Sequence, residues 1–359
     1  MTVNRIVVLT AVALCVSSGL AAGERRMVYT RPFQLRDSVG GGFEGAAKAL
    51  KANGITDVVC CFTDGPFARF PSKAMLPDPE LAEFGEPDPL APMLRALHAE
   101  GIRLHAWMTL GRLVRVGGKT VAELERDGRV CIGRGGVPTK GKEAFLCRED
   151  PRNVEQYRAA AVELIARGVD GIHLDYIRYA HWSDCYCERF RKLYEQHGGR
   201  NLADWPKGVD GNKGIDPAWV ETRTDVIDGI VKVMRDEVRK HPGVELSAAV
   251  FDPPATTKVL LGQDWARWVK EGWVDFVCTM DYYDDAEDLR RELLEEMPIA
   301  ASGKAKIYPA LAISWSRGEY KAKALKEQIG LARTYLPGGF NIFYWSADTV
   351  GRISSALRE

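Results

Sequence analysis

The chain has 359 residues, and 49 Lys and Arg balance 49 Asp and Glu, so the formal net charge is zero. A balanced charge provides no electrostatic footprint for nucleic acid or an acidic membrane surface, and neither is expected as a partner. The length is more than one minimal domain needs but suits a single α/β barrel with long loops.

The first 22 residues read as a secretory leader. Arg5 supplies the positive region, residues 6–16 the apolar core and residues 17–22 the small-residue cleavage region. The apolar run is too short to span a bilayer comfortably, and no later stretch resembles a membrane helix. Cleavage after Ala22 leaves residues 23–359 as one domain, secreted or periplasmic, with no membrane attachment.

Strands and helices then alternate to the end. The first strand is predicted over 27–32, with helix 42–53 stopped by Gly54. Strand 57–63 ends at Asp64-Gly65, and a Pro-rich acidic loop leads to helix 90–100. Strand 103–109 carries His105, Trp107 and Thr109 on one face, and a long Gly-rich basic loop follows from 111 to about 147. Asp150-Pro151 opens a helix that runs to Arg167, and Gly168 ends it.

The fourth strand, 171–176, is the most informative segment. Residues 168–179 read Gly-Val-Asp-Gly-Ile-His-Leu-Asp-Tyr-Ile-Arg-Tyr. Side chains alternate across a strand, so Ile172, Leu174 and Tyr176 share one face and Gly171, His173 and Asp175 the other. An apolar strand that ends in His, Asp and then Arg178 fits no simple core role. In a parallel barrel the C-terminal strand ends carry the active site. The plainer alternative is a helix cap or a salt bridge from Asp175 to Arg178.

A second long excursion follows, with helical pattern over 183–197 and 219–241. Strand 244–251 ends at Asp252, strand 274–280 at Asp281 and strand 306–313 near Trp315. Strand 340–345 is the eighth, with helices over 265–271, 289–296 and 321–335 between these strands. Eight strands alternating with helices predict a (β/α)8 TIM barrel with long loops after strands 2, 3 and 4. An open doubly wound sheet is the alternative, but no Gly-x-Gly-x-x-Gly turn follows the first strand. No cofactor is expected.

The predicted strand ends collect carboxylates and aromatics. Asp175, Asp281 and Asp252 are the catalytic candidates, with Asp175 as nucleophile or base and Asp281 ahead of Asp252 as proton donor. Arg31, Asp64, Trp107, His173, Arg178, Tyr179, Tyr282, Trp315 and Trp345 are the candidates for binding substrate. Two carboxyls flanking a bond, with aromatics to hold a ring, are what glycosidic chemistry needs. A Gly-x-Ser-x-Gly elbow and a His-x-x-x-His pair are both absent from the sequence. No residues are assigned to a metal, although His105 and His173 with Asp175 could form a metal-dependent hydrolase centre. A carbohydrate-binding barrel without catalysis is the other competing class.

Seven cysteines follow the leader, since Cys15 is the eighth and lies within it. Cys60, Cys61 and Cys278 fall in strand-like runs and read as buried thiols. Cys131, Cys147, Cys185 and Cys187 fall in loops and read first as disulfide staples of an exported protein, then as free thiols, then as metal ligands. The spacing Cys185-Tyr186-Cys187 is not among the usual structural zinc patterns.

Three segments carry a family resemblance: 169–179, the run from Gln263-Asp264-Trp265 to Gly272-Trp273-Val274-Asp275-Phe276, and Met280-Asp281-Tyr282. With Cys185-Tyr186-Cys187-Glu188-Arg189-Phe190 they resemble the glycosyl-hydrolase-like barrels of the "family 10 glycosylhydrolase" type, over about residues 27 to 348. The resemblance implies a secreted barrel acting on a poly- or oligosaccharide. A more distant similarity is to family 18 chitinases, whose fourth strand reads Asp-Gly-x-Asp-x-Asp-x-Glu. Ile177 stands where their acid would be, which excludes chitinase activity. The α-amylase clan also has an Asp nucleophile at the end of its fourth strand, which implies that role for Asp175.

Overall fold

The computed structural model describes residues 23–113, 118–141, 144–182, 184–200, 202–207, 209, 216–315, 318–319 and 322–358. The expected leader lies outside them. Eight parallel strands close on themselves: β1 (Arg25–Thr30), β2 (Asp57–Asp64), β3 (Arg103–Thr109), β4 (Gly171–Asp175), β5 (Glu245–Val250), β6 (Phe276–Asp281), β7 (Lys306–Ala312) and β8 (Gly339–Phe343). β1 pairs with both β2 and β8, which shuts the barrel.

The helices that follow the strands in turn are α1 (Gly42–Ala52), α2 (Leu90–Ala99), α3 (Pro151–Ala166), α4 (Pro217–Val238), α5 (Trp265–Glu271), α6 (Ala286–Ser302), α7 (Ala322–Tyr335) and α8 (Val350–Leu357). The (β/α)8 prediction therefore holds, and the long excursions follow β2, β3 and β4. Boundaries move where caps decide them. Asp216 accepts a hydrogen bond from Ala218 N and starts α4 at Pro217, ahead of the expected 219, while Asp150 accepts from Arg152 N and starts α3 at Pro151 as expected. The helix expected from 183 begins only at Glu188, because the Cys187 sulfur caps it by accepting from Phe190 N. The loop expected over 111–147 contains a helix, Gly118–Arg126.

Every residue of β2 is buried, as expected of a parallel strand covered on both faces. Outward residues such as Val58, Cys60, Leu104, Ala106, Ile172 and Leu174 pack with the helices. Inward residues Met27, Tyr29, Val59, Cys61, Trp107, Phe276 and Cys278 form a second cluster inside the barrel.

The N-terminal end of the barrel is plugged by charge. Arg25 Nη2 lies 2.5 Å from Asp57 Oδ1 and 2.7 Å from Glu245 Oε2, and its guanidinium covers the Phe276 ring at 4.6 Å. His105 Nε2 lies 3.0 Å from Asp57 Oδ1. Burial pushes the Asp57 carboxyl up, but His105 and Arg25 outweigh it and hold the group well below the usual carboxylate range. This plug explains why β1 starts at Arg25, earlier than its apolar pattern.

Gly171 leaves room for the plug. A Cβ there would lie 2.1 Å from His105 Nδ1 and 3.0 Å from the Glu245 carbonyl oxygen. Gly171→Ala should therefore cost about 1–3 kcal/mol or more, because His105 cannot retreat without leaving Asp57. Urea denaturation measures this, and a loss below about 0.5 kcal/mol would show that the barrel floor yields freely.

Candidate functional site

The C-terminal mouth of the barrel holds a cavity of about 240 Å³. Tyr29, Trp107, Tyr282 and Phe343 form aromatic walls, and Arg31, Asp64, Arg112, Asp175 and Arg178 bring charge to it. Alternation aims most of the strand side chains inward, while on β2 a register shift between Cys61 and Thr63 breaks it, so that Cys61 and Asp64, three residues apart, both reach the cavity.

Asp175 is the focus. Its Oδ2 accepts from Trp107 Nε1 at 3.0 Å and its Oδ1 from Tyr176 N at 2.6 Å. Burial raises its pKa, and the donated hydrogen bonds and the Arg178 and Arg112 charges oppose that rise without cancelling it. Both oxygens are thus arranged as acceptors, in a carboxyl made more basic by desolvation.

Asp64 is the other carboxylate of the cavity lining. Arg112 grips it through Nε at 3.3 Å and Nη2 at 3.0 Å. Asp64 pairs across the sheet with Thr109, and Thr109 pairs with Asp175. Two strand spacings put the Cα atoms of the two aspartates about 10 Å apart.

Tyr176 departs from the sequence expectation. Alternation put it on the outer face with Ile172 and Leu174, but its φ of 54° turns the chain at the strand end and brings it into the cavity lining. A non-glycine residue in the left-handed region is backbone strain of the kind found at functional sites. Two guanidiniums lie over its ring, Arg112 at 5.1 Å and Arg178 at 4.7 Å from the centroid. Arg148 secures the turn by donating to the carbonyls of Tyr176 at 2.8 Å, Leu110 at 3.0 Å and Arg178 at 3.1 Å.

Of the predicted substrate-binding residues, Arg31, Asp64, Trp107, Arg178 and Tyr282 line the cavity. His173 lies below it, fully buried, with Nε2 2.8 Å from the Tyr29 hydroxyl and Nδ1 2.8 Å from Ser247 Oγ. Burial, then the neighbouring His105, depress its pKa to about 3, so it is a neutral support for Tyr29. Tyr179 points away and donates to Glu149 Oε1 at 2.5 Å. Trp345 is buried among the helices, its Nε1 donating to Ser38 Oγ at 3.0 Å. The Trp315 side chain lies outside the described residues.

Asp281 and Asp252, the expected proton donors, are also displaced from the cavity. Met280 and Tyr282 line it, so Asp281 between them faces the helix layer. There Asp252, Asp281 and Glu296 of α6 bring carboxyl oxygens within 4.8 Å of one another. Thr279 Oγ1 donates to Asp281 Oδ2 at 2.8 Å, while the oxygens of Asp252 and Glu296 meet no N–H or O–H donor in good geometry among the described residues. Burial drives all three pKa values up, with Asp252 adding to the rise at Asp281. Three carboxyls crowded together out of water thus each favour the protonated form more than they would in solvent.

The histidine and aspartate set of a metal-dependent hydrolase does not assemble either. His105 is committed to Asp57 and His173 to Tyr29. Among the described residues, the two groups with metal-ligand geometry both lie outside the cavity lining. The expected disulfides are not formed: Cys131, Cys147, Cys185 and Cys187 are buried thiols. The Cys147 and Cys187 sulfurs stand 3.6 Å apart, against about 2.05 Å in a disulfide.

The profile of the family described as glycosyl hydrolase-like 10 matches residues 67–293. No curated protein matches the sequence. Among solved structures, the glycoside hydrolase domain of PgaB (BpsB) from Bordetella bronchiseptica superposes with a TM-score of 0.68 at 13% identity, covering 93% of this chain and 98% of that one. The α-L-fucosidase isoenzyme 2 of Paenibacillus thiaminolyticus gives 0.64 at 13% identity, covering 93% of this chain and 49% of that one. The α-galactosidase TtGalA of Thermus thermophilus gives 0.52 at 12% identity, covering 95% and 66%. At these identities the likeness is one of fold.

The acidic trio has a signed consequence. Carboxyls whose pKa rises on folding contribute stability below their unfolded values of about 4, and lose it as pH climbs through the folded values. Asp281→Asn should therefore increase the unfolding free energy measured in urea more at pH 8 than at pH 4, by about 1–2 kcal/mol in difference. An equal shift at both pH values would mean that the trio carries no shared protons.

Proposed function

We propose that this chain, which belongs to the glycosyl hydrolase-like 10 family, is a glycoside hydrolase that works on a poly- or oligosaccharide through Asp175. One observation carries the reading. Asp175 is a desolvated carboxyl with both oxygens held by N–H donors, in an aromatic-walled cavity at the C-terminal mouth of a barrel. A carboxylate so held is oriented to attack a ring carbon or to deprotonate water.

Asp64 takes the second carboxyl role in this proposal, in place of Asp281 and Asp252. Arg112 positions it, and its Cα lies about 10 Å from that of Asp175, a span that lets two side chains flank one glycosidic bond. Tyr282, Trp107 and Phe343 supply flat apolar faces for a sugar ring. The volume is below the roughly 300–1,000 Å³ of drug-sized sites, which suits one ring held deep with the rest of the glycan outside. The leader at residues 1–22 supports export, so the substrate would be met in the periplasm or outside the cell.

Asp175→Asn keeps shape and removes charge. On a hydrolysed glycan it should lower kcat by about a thousandfold or more and leave sugar affinity within a few-fold. Asp64→Asn should also lower kcat steeply, whereas Asp281→Asn should not. If wild type binds oligosaccharide without turnover on a broad glycan panel and Asp175→Asn matches it, the chain is a carbohydrate-binding barrel.

The pH profile offers an independent check. Asp175 acts ionised, and burial raises its pKa, so the acidic limb of kcat/KM should lie above the ordinary carboxylate value of about 4. Trp107→Phe removes a donor that favours the ionised form and should move that limb to higher pH. A limb that stays in place would remove Asp175 from the proton balance.

A further inference from the structure

We infer that Cys147, Glu149, Cys185 and Cys187 form a structural site for one divalent zinc-like cation, independent of the catalytic reading. Two three-residue hooks face each other. Cys147-Arg148-Glu149 lies at the end of the loop after β3, and Cys185-Tyr186-Cys187 lies in the loop after β4. The three sulfurs and a Glu149 oxygen are all within 4.8 Å of one another.

The distances fit a shared ion. With metal–sulfur bonds of about 2.3 Å, two sulfurs on one tetrahedral ion stand about 3.8 Å apart. Cys147 and Cys187 are 3.6 Å apart. Glu149 Oε2 lies 3.0 Å from the Cys147 sulfur and 3.8 Å from that of Cys187. Three soft sulfurs and one carboxylate oxygen complete four-coordination, and the sulfur majority suits zinc rather than calcium or magnesium.

The surroundings are those of ligands. Ile132 N donates to the Cys185 sulfur at 3.2 Å, and Phe190 N donates to the Cys187 sulfur at 3.4 Å from the first turn of its helix. Both bonds favour thiolate. The Tyr179 hydroxyl fixes the far oxygen of Glu149, the outer-shell support that metal-bound carboxylates receive. Cys131 is buried beside this group with its thiol directed at the Leu146 carbonyl, 3.6 Å away. A Cys147–Cys187 disulfide would consume two of the three sulfurs and leave the Glu149 charge buried with less compensation. A cation uses all four groups, and the three thiols release their protons to solvent as it binds.

The site would govern the cavity mechanically. Arg148 sits between Cys147 and Glu149, and it is the residue that clamps the Tyr176 turn and the Arg178 carbonyl. Fixing that hook to the β4 loop fixes both long loops at the mouth.

The test uses the full chain, purified without a metal-affinity step. Elemental analysis should find about one zinc per chain, and denatured, chelator-treated protein should show free thiols at Cys147, Cys185 and Cys187 by alkylation and peptide mapping. Exchange with cobalt(II) should give thiolate-to-cobalt charge transfer and the intense visible bands of a tetrahedral site. Cys187→Ser and Glu149→Gln should each lose metal or weaken its retention at least tenfold against a competing chelator. Should Cys187→Ser fail to fold, the wild-type metal content and cobalt spectrum still decide. Protein that holds no zinc and takes up no cobalt, or in which Cys147, Cys185 or Cys187 is found in a disulfide, overturns the proposal.

Discussion

A strand in a closed barrel gives every second side chain to the interior and the others to the helices, except where a bulge or a turn breaks the alternation, as before Asp64 and at Tyr176. That constraint decides which charges meet at the mouth. On β4 it sends His173 and Asp175 inward and Leu174 outward. At the end of β6 it sends Met280 and Tyr282 to the cavity, and Asp281 must then face α6. The cavity is therefore built from β1, β2, β3 and β4 on its polar side, with β6 and β8 supplying ring and thioether surface.

Once the alternation has distributed the charges, burial has to be compensated, and the fold uses three different means. At the floor, Arg25 and His105 neutralise Asp57, which keeps that carboxyl ionised. In the helix layer, Asp252, Asp281 and Glu296 have no cation among their described partners, and burial raises all three pKa values. At the mouth, Asp175 has only N–H donors in direct contact, with arginines further away; burial raises its pKa and these groups oppose the rise. A carboxyl that burial makes more basic while its donors favour the ionised form is suited to change protonation during a reaction cycle.

The sequence made much of this legible. The barrel was readable from eight buried apolar runs with helices between them, because parallel strands covered on both faces cannot look otherwise. Asp175, Trp107, Arg178, Asp64, Arg31 and Tyr282 were readable as strand ends. Asp281 was misplaced because it adjoins Tyr282; strict alternation from Phe276 and Cys278 would have sent it outward. Tyr29 was open to the same reasoning, two residues before Arg31. Tyr176 was not, since its turn into the cavity depends on a left-handed backbone and on Arg148, a contact 28 residues away in sequence. Arg112 was equally hidden, inside a loop whose path no periodicity records.

The loop cysteines show how distance in sequence conceals chemistry. Cys147 and Cys187 are 40 residues apart, and each hook alone has a single residue between its ligands, shorter than the common zinc spacings. Only the barrel, by placing β3 beside β4, brings the ends of their loops together. The same adjacency lets Arg148 reach the Tyr176 and Arg178 carbonyls, so the cysteine hooks and the charged mouth are two consequences of one strand pairing. Loops this long would otherwise sample many conformations at the entrance, and a site held to within about 0.5 Å needs them fixed. The Asp64–Arg112 pair, the Tyr176 turn and the thiol cluster form one continuous tie from the cavity wall to the outer helices.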